Sequence, residues 1–111
     1  MTAKTLLQRR DEVRVERRLA LQAEVLRDLR HALEALIPGE RVWVFGSLTQ
    51  PGRFNDASDI DLALEREPRG ISAGRLSSEL TERLARPVDV VFLKDCRFRH
   101  AIAREGELWT L

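Results

Sequence analysis

The chain has 111 residues, 43% apolar and 33% charged, with a formal net charge of +1; that bounds the answer at one small domain with a workable core and excludes wholesale disorder. The near-zero charge excludes a global pull toward nucleic acid or anionic membrane. With no apolar run near the ~18 residues of a bilayer span, no signal-peptide core at the start, and Cys96 as the single cysteine, the expectation is a cytoplasmic protein without an intrachain disulfide or a cysteine zinc site.

Residues 3–37 contain no Gly or Pro and are rich in Ala, Leu, Glu, Arg and Gln, which predicts one long helix. From Val15 onward, Leu19, Leu26, Leu29, Leu33 and Leu36 fall mostly at spacings of 3, 4 or 7 and make one apolar stripe. Upstream the pattern weakens into Gln8-Arg9-Arg10-Asp11-Glu12, so the first dozen residues are expected to fray or to project. The mixed charges over residues 9–18 read as a solvated face with i,i+4 pairs, the sharper alternative being a partner-docking surface. Pro38-Gly39 ends the helix.

Residues 41–46 predict a first strand, followed by a short helical turn over 47–50 and turns at Pro51, Gly52 and Asn55. A second strand is expected over 59–65, ending before Pro68-Arg69-Gly70. Ser72 is a suitable N-cap for a helix over 73–85 that turns Leu76, Leu80 and Leu84 to the core. Pro87 opens a third strand over 88–93, and a last helix over 97–105 stops at Gly106. The helical crossover between strands two and three allows parallel pairing. The expected fold is therefore α/β (α+β): a small mixed sheet packed on helices. One domain spans 1–111, with an N-terminal helix at 1–37 and a core at 41–106.

Two stretches carry chemistry. The apolar run Val42-Trp43-Val44-Phe45 ends abruptly in Gly46-Ser47, a turn whose free backbone N–H groups suit a phosphate. Eleven residues intervene before Asp59-Ile60-Asp61. On a strand, alternate side chains share a face, so Asp59 and Asp61 point one way, about 7 Å apart by the ~3.3 Å rise. Ile60, Leu62 and Leu64 point the other way. Such a pair suits a hard cation. Asp89 sits between Val88 and Val90, where a buried carboxylate needs a metal, a partner or an exposed face. If the third strand lies beside the second, Asp89 joins the pair, and three carboxylates suit one or two Mg²⁺ ions. Each signal alone has a plainer reading: surface acids, ordinary turn chemistry, or an edge-strand charge that blocks aggregation. Their coincidence on three successive strands is the informative point.

That coincidence resembles the nucleotidyltransferase superfamily related to DNA polymerase β, and within it the minimal nucleotidyltransferase branch. The likeness rests on Phe45-Gly46-Ser47, then Ser58-Asp59-Ile60-Asp61-Leu62, then Val88-Asp89-Val90, and covers roughly residues 42–106. The resemblance implies a polymerase β-like fold and Mg²⁺-dependent transfer of a nucleoside monophosphate, AMP from ATP, to a hydroxyl. It further implies that Gly46 and Ser47 hold the triphosphate, that Asp59 and Asp61 hold metal, and that Asp89 completes the triad. Stand-alone proteins of this size look like antitoxins whose partners are HEPN-domain ribonucleases, some of which are adenylylated on a tyrosine. Such members often carry a base soon after Gly-Ser; here Leu48-Thr49-Gln50-Pro51 follows, and Arg53 is the nearest candidate. The alternatives are an antitoxin that silences its partner by binding alone and a transferase acting on aminoglycoside-like hydroxyls. The acceptor, the choice of ATP over other triphosphates and any homo-oligomer are left open.

The other singletons carry plainer expectations. His31 and His100 have no matching acid or cysteine spacing and read as structural or surface residues. Trp43 is expected in the core, Trp109 either capping the core or meeting a partner, Lys94 in solvent and Cys96 partly buried.

Overall fold

The computed structural model describes residues 4–111. Thr5 opens the first helix, α1 (Leu6–Leu36), with a capping box: its hydroxyl accepts from the Gln8 N–H, and the Gln8 side chain accepts from the Thr5 N–H. Residue 3, where the helix was expected to start, lies outside the described residues. Only the C-terminal half of α1 is buried, through Val25, Leu29, Ala32 and Leu33. Residues 4–20 are exposed throughout, so the apolar stripe expected from Val15 begins instead near Leu21. The reason is length. The five-residue strand beneath α1 spans only ~17 Å, which about eleven helical residues at 1.5 Å each already cover.

After the Pro38-Gly39 turn come β1 (Arg41–Phe45), a 3₁₀ turn over Gly46–Thr49 and β2 (Ile60–Leu64). Then follow α2 (Ala73–Leu84), β3 (Val88–Phe92), a 3₁₀ turn over Leu93–Asp95, α3 (Arg99–Glu105) and β4 (Glu107–Thr110). Ser72 caps α2 by accepting from the Arg75 N–H, as its sequence position predicts. The sheet order is β3-β2-β1-β4, with β1 antiparallel to both neighbours and β2 parallel to β3. This is the mixed sheet expected.

One face of the sheet presents Val42, Val44, Ile60, Leu62, Leu64 and Val88 to α1 and α2, where Leu29, Leu33, Leu76 and Leu80 close the core. Phe54, from the loop after the 3₁₀ turn, is fully buried in the same core. The other face carries Trp43, Phe45, Asp61 and Asp89, and α3 packs beside Phe45 with its Ile102 buried.

Two points differ from the sequence reading. β4 has no counterpart in the sequence reading: its four residues carry little pattern, and it forms because β1 offers an open edge. Gly106 permits that approach, since a Cβ there would lie 2.9 Å from the Val44 carbonyl oxygen and 2.7 Å from that of Ile102. Trp109, opposite Val42 on β4, is accordingly core, with the Arg30 guanidinium 4.3 Å from its ring. Trp43 is only half-buried, on the open face, and donates its indole N–H to Glu65.

Candidate functional site

The register of the two central strands builds the site. Phe45 pairs with Asp61, and Asp61 pairs with Asp89, so the two carboxylates stand directly opposite each other on neighbouring parallel strands. Asp59 precedes β2 by one residue rather than lying within it. The Ile60 N–H donates to the Pro87 carbonyl and ties the start of β2 to the start of β3. Like charges directly opposite on adjacent strands are destabilising, so a sequence selected for stability alone would not place Asp61 against Asp89.

Asp61 is half-buried, whereas Asp59 and Asp89 are exposed on the rim. Burial, then Asp89, then Asp59 push the Asp61 carboxyl above its ordinary value. β3 is an edge strand, which explains how Asp89 sits in an apolar run without an ion pair: its face is open. Among the described residues no three His, Cys, Asp or Glu side chains close into a metal cage. Asp59, Asp61 and Asp89 are the three carboxylates at this end of the two strands. As a donor set they are all oxygen and supply three negative charges, which fits a hard divalent cation and not zinc.

Gly46 is the second constituent. Its φ is +78°, and a Cβ there would lie 2.5 Å from Asp61 Oδ2, so no other residue lets the turn sit against that carboxylate. Ser47 is half-buried in the 3₁₀ turn. No side chain caps the start of the turn, while the Thr49 hydroxyl donates back to the Gly46 carbonyl at 2.9 Å. Leu48, directly after Gly46-Ser47, is fully buried, and its carbonyl accepts from Gln22 of α1 at 2.7 Å. Arg53 is exposed and does not line the cavity beside Gly46.

That cavity, about 210 Å³, was not foreseen. Phe45, Gly46 and Thr49 wall one side, and Phe98, Ile102 and Gly106 the other. Phe98 is 70% exposed, a large apolar side chain turned to solvent at the mouth. Arg86 was also missed. Its Nη1 donates to the carbonyls of Asn55 (3.2 Å) and Ser58 (2.9 Å), and its guanidinium lies 4.7 Å from the centroid of the Phe54 ring. The loop that delivers Asp59 is thus pinned at both its buried aromatic and its backbone. The only sequence signal was an arginine directly before Pro87 and β3.

A mixed sheet that sets an Asp-x-Asp strand between a Gly-Ser turn and a third aspartate defines a nucleotidyl-transfer class of domain. Residues 29–109 match the family model Polymerase beta, Nucleotidyltransferase, and the chain belongs to that family. Among solved structures it is similar to a crystal structure of a toxin-antitoxin with AMP-PNP, at 25% identity and a TM-score of 0.57, over 77% of this chain and 73% of that one. It also shares the fold of a toxin-antitoxin MntA-HepT crystal structure, at 21% identity and a TM-score of 0.53, over 80% and 73% of the two chains. No curated protein matches the sequence significantly.

Proposed function

We propose that the chain is a Mg²⁺-dependent antitoxin that transfers AMP from ATP to a hydroxyl, that of a tyrosine, on a HEPN-type ribonuclease encoded beside it. The observation that carries this reading is the Asp61–Asp89 register with Gly46 seated on Asp61. It is an arrangement adverse for stability and suited to metal-assisted phosphoryl chemistry. The likeness to a toxin-antitoxin crystallised with AMP-PNP, an ATP analogue, supports the nucleotide and the kind of partner.

In this reading Asp59, Asp61 and Asp89 hold the metal. Bound there, Mg²⁺ would neutralise phosphate charge and orient the reacting oxygens. The N–H groups of Gly46 and Ser47 cradle the triphosphate, and Arg53 is the candidate for the charge that the apolar Leu48 does not supply. Phe98 offers an apolar wall for the base. The acceptor oxygen bonds to the α-phosphorus while the bond from that phosphorus to the bridging oxygen breaks. Pyrophosphate leaves with the electron pair, and the hydroxyl proton passes to Asp89. Positioning carries most of the catalysis, since phosphoryl transfer asks little covalent help of the protein.

A second reading, neutralisation by binding alone, draws on one observation: no base follows Gly46-Ser47 within the turn. The two part in one assay. Labelled AMP is followed from ATP and Mg²⁺ onto the partner ribonuclease, with wild type and with Asp59→Ala/Asp61→Ala. Label on the partner with wild type only is the expected result. Suppressed ribonuclease activity with both proteins, and no label, would leave the binding reading.

A further inference from the structure

The exposed half of α1 lies N-terminal to the residues matched by the family and extends beyond the sheet end that carries Gly46, Asp59 and Asp61. Its direction is set by two bonds: Gln22 Nε2 to the Leu48 carbonyl (2.7 Å) and Arg18 Nη1 to the Gly52 carbonyl (3.3 Å). Both acceptors belong to the loop between β1 and β2. Residues 4–17 therefore form an arm roughly 20 Å long, at 1.5 Å per residue, standing past that loop.

The arm's charges are segregated. Arg10 and Arg14, Arg14 and Arg18, and Glu12 and Glu16 are each like-charged at i,i+4, an arrangement that weakens an isolated helix. Lys4–Glu12 is the only ion pair on the arm among the described residues, and Arg9, Arg10, Arg14, Arg17 and Arg18 form none. The face is solvated, as the sequence suggests, but the i,i+4 ion pairs expected over residues 9–18 do not form among the described residues. Instead Leu6, Arg10, Val13, Arg14 and Arg17 line a groove of about 390 Å³, and Arg14 and Arg17 continue into a second of about 360 Å³ where the arm meets Asn55 and Asp56. Leu6 is 77% and Val13 45% exposed between these arginines. One face of the arm is thus basic and apolar from tip to body.

We infer that this face docks the protein acceptor, through an acidic amphipathic helix on the acceptor's surface, and so brings its hydroxyl toward the site; the inference rests on the protein-acceptor reading above. Charge complementarity names the partner's sign. Lys4, Arg9, Arg10, Arg14, Arg17 and Arg18 oppose only Asp11, Glu12 and Glu16 within residues 4–21, whereas the rest of the chain carries more acids than bases. Exposed leucine and valine between the arginines suit a protein helix over a phosphate backbone. Residues 4–21 also lack any aromatic for a base to stack on. Arginine at helical spacing matches carboxylates on a facing helix, and such surfaces act chiefly on encounter and orientation.

The test titrates the full chain into the catalytically silenced partner ribonuclease, comparing wild type with Arg10→Glu/Arg14→Glu/Arg17→Glu. Circular dichroism and binding of a fluorescent ATP analogue report whether the variant keeps its fold and nucleotide site. The expected result is a loss of affinity of about tenfold or more at roughly 50 mM NaCl, with a weaker salt dependence in the variant, while nucleotide binding is unchanged. Unchanged affinity for the partner would overturn the inference, as would no binding by wild type. Two other results would also overturn it: tighter wild-type binding to a 20-nucleotide RNA than to the partner, or self-association of wild type lost in the variant. Label transfer to the bound partner is measured in parallel. Docking without label would sink the catalytic reading and leave the docking face standing.

Discussion

At Gly46 the backbone φ of +78° and the lack of room for a side chain, since a Cβ would lie 2.5 Å from Asp61 Oδ2, act together. Gly46→Ala should lower stability by about 1–2 kcal/mol from the left-handed backbone alone, and by more from the displaced carboxylate. Thermal melting will show the loss, and AMP transfer should fall with it. Gly46→Ala/Asp61→Ala should cost less than the two single changes summed, because the second removes the clash but not the backbone strain; strict additivity would mean the two residues do not touch. Asp61 yields a pH prediction. Its folded-state proton is held more tightly than in the unfolded chain, so the associated stability is full below the ordinary carboxylate value and is lost as pH rises through the raised one. At neutral pH the metal-free fold therefore carries an unfavourable anion. Asp61→Asn should melt a few degrees higher than wild type at pH 7 without metal, and the gap should close as pH is lowered through that window. A gap that persists at acid pH would assign the effect to something other than ionisation.

At the scale of elements, the loop between β1 and β2 is organised from outside itself. Arg86 bonds the carbonyls of Asn55 and Ser58 and covers Phe54. Arg86→Ala should cost about 1.5–3 kcal/mol, as for hydrogen bonds to a charged group, and raise amide exchange over residues 53–58 while leaving the central strands protected. Arg86→Lys should rescue little, because an ammonium cannot reproduce the planar fork. Uniform exchange across loop and sheet would show that Arg86 does not govern the loop. β4 hangs on a different residue. Trp109 is 7% exposed beneath Arg30, and Trp109→Ala should cost about 3–5 kcal/mol in urea denaturation, the range for losing a buried large aromatic. A cost under about 1 kcal/mol would mean that β4 is held by its backbone ladder alone.

The molecule as a whole is a small two-layer domain with an arm, 58 Å along its longest axis and 21 Å along its shortest. Because residues 4–14 are exposed throughout and none joins the core, a chain beginning at Val15 should melt within about 1 °C of the full one, as surface changes away from packing usually do. A large drop would show that the arm supports the fold. Together with the charge-reversal test, it separates a structural role of the arm from a docking one. At this scale the levels agree: the sheet order, the register and the Gly46 turn bring Gly46, Asp61 and Asp89 together at one end of the sheet.

Much of this was legible in the chain itself. Helix stops at Pro38-Gly39, the Ser72 cap, the alternation Ile60-Asp61-Leu62 and the apolar run around Asp89 are local signals, and local sterics and hydrogen bonding decide them. They predicted the helices, three strands and the mixed sheet, and they single out the three aspartates as candidates. What only the tertiary structure decided depends on residues far apart in sequence. Trp109 and β4 take their place from the open edge of β1, Arg86 from the loop it reaches across to, and the end of the buried stripe on α1 from the length of the strand beneath it. The same holds for Asp61 facing Asp89: each residue was visible in its own strand, but their opposition is a matter of register between strands, which no local pattern contains.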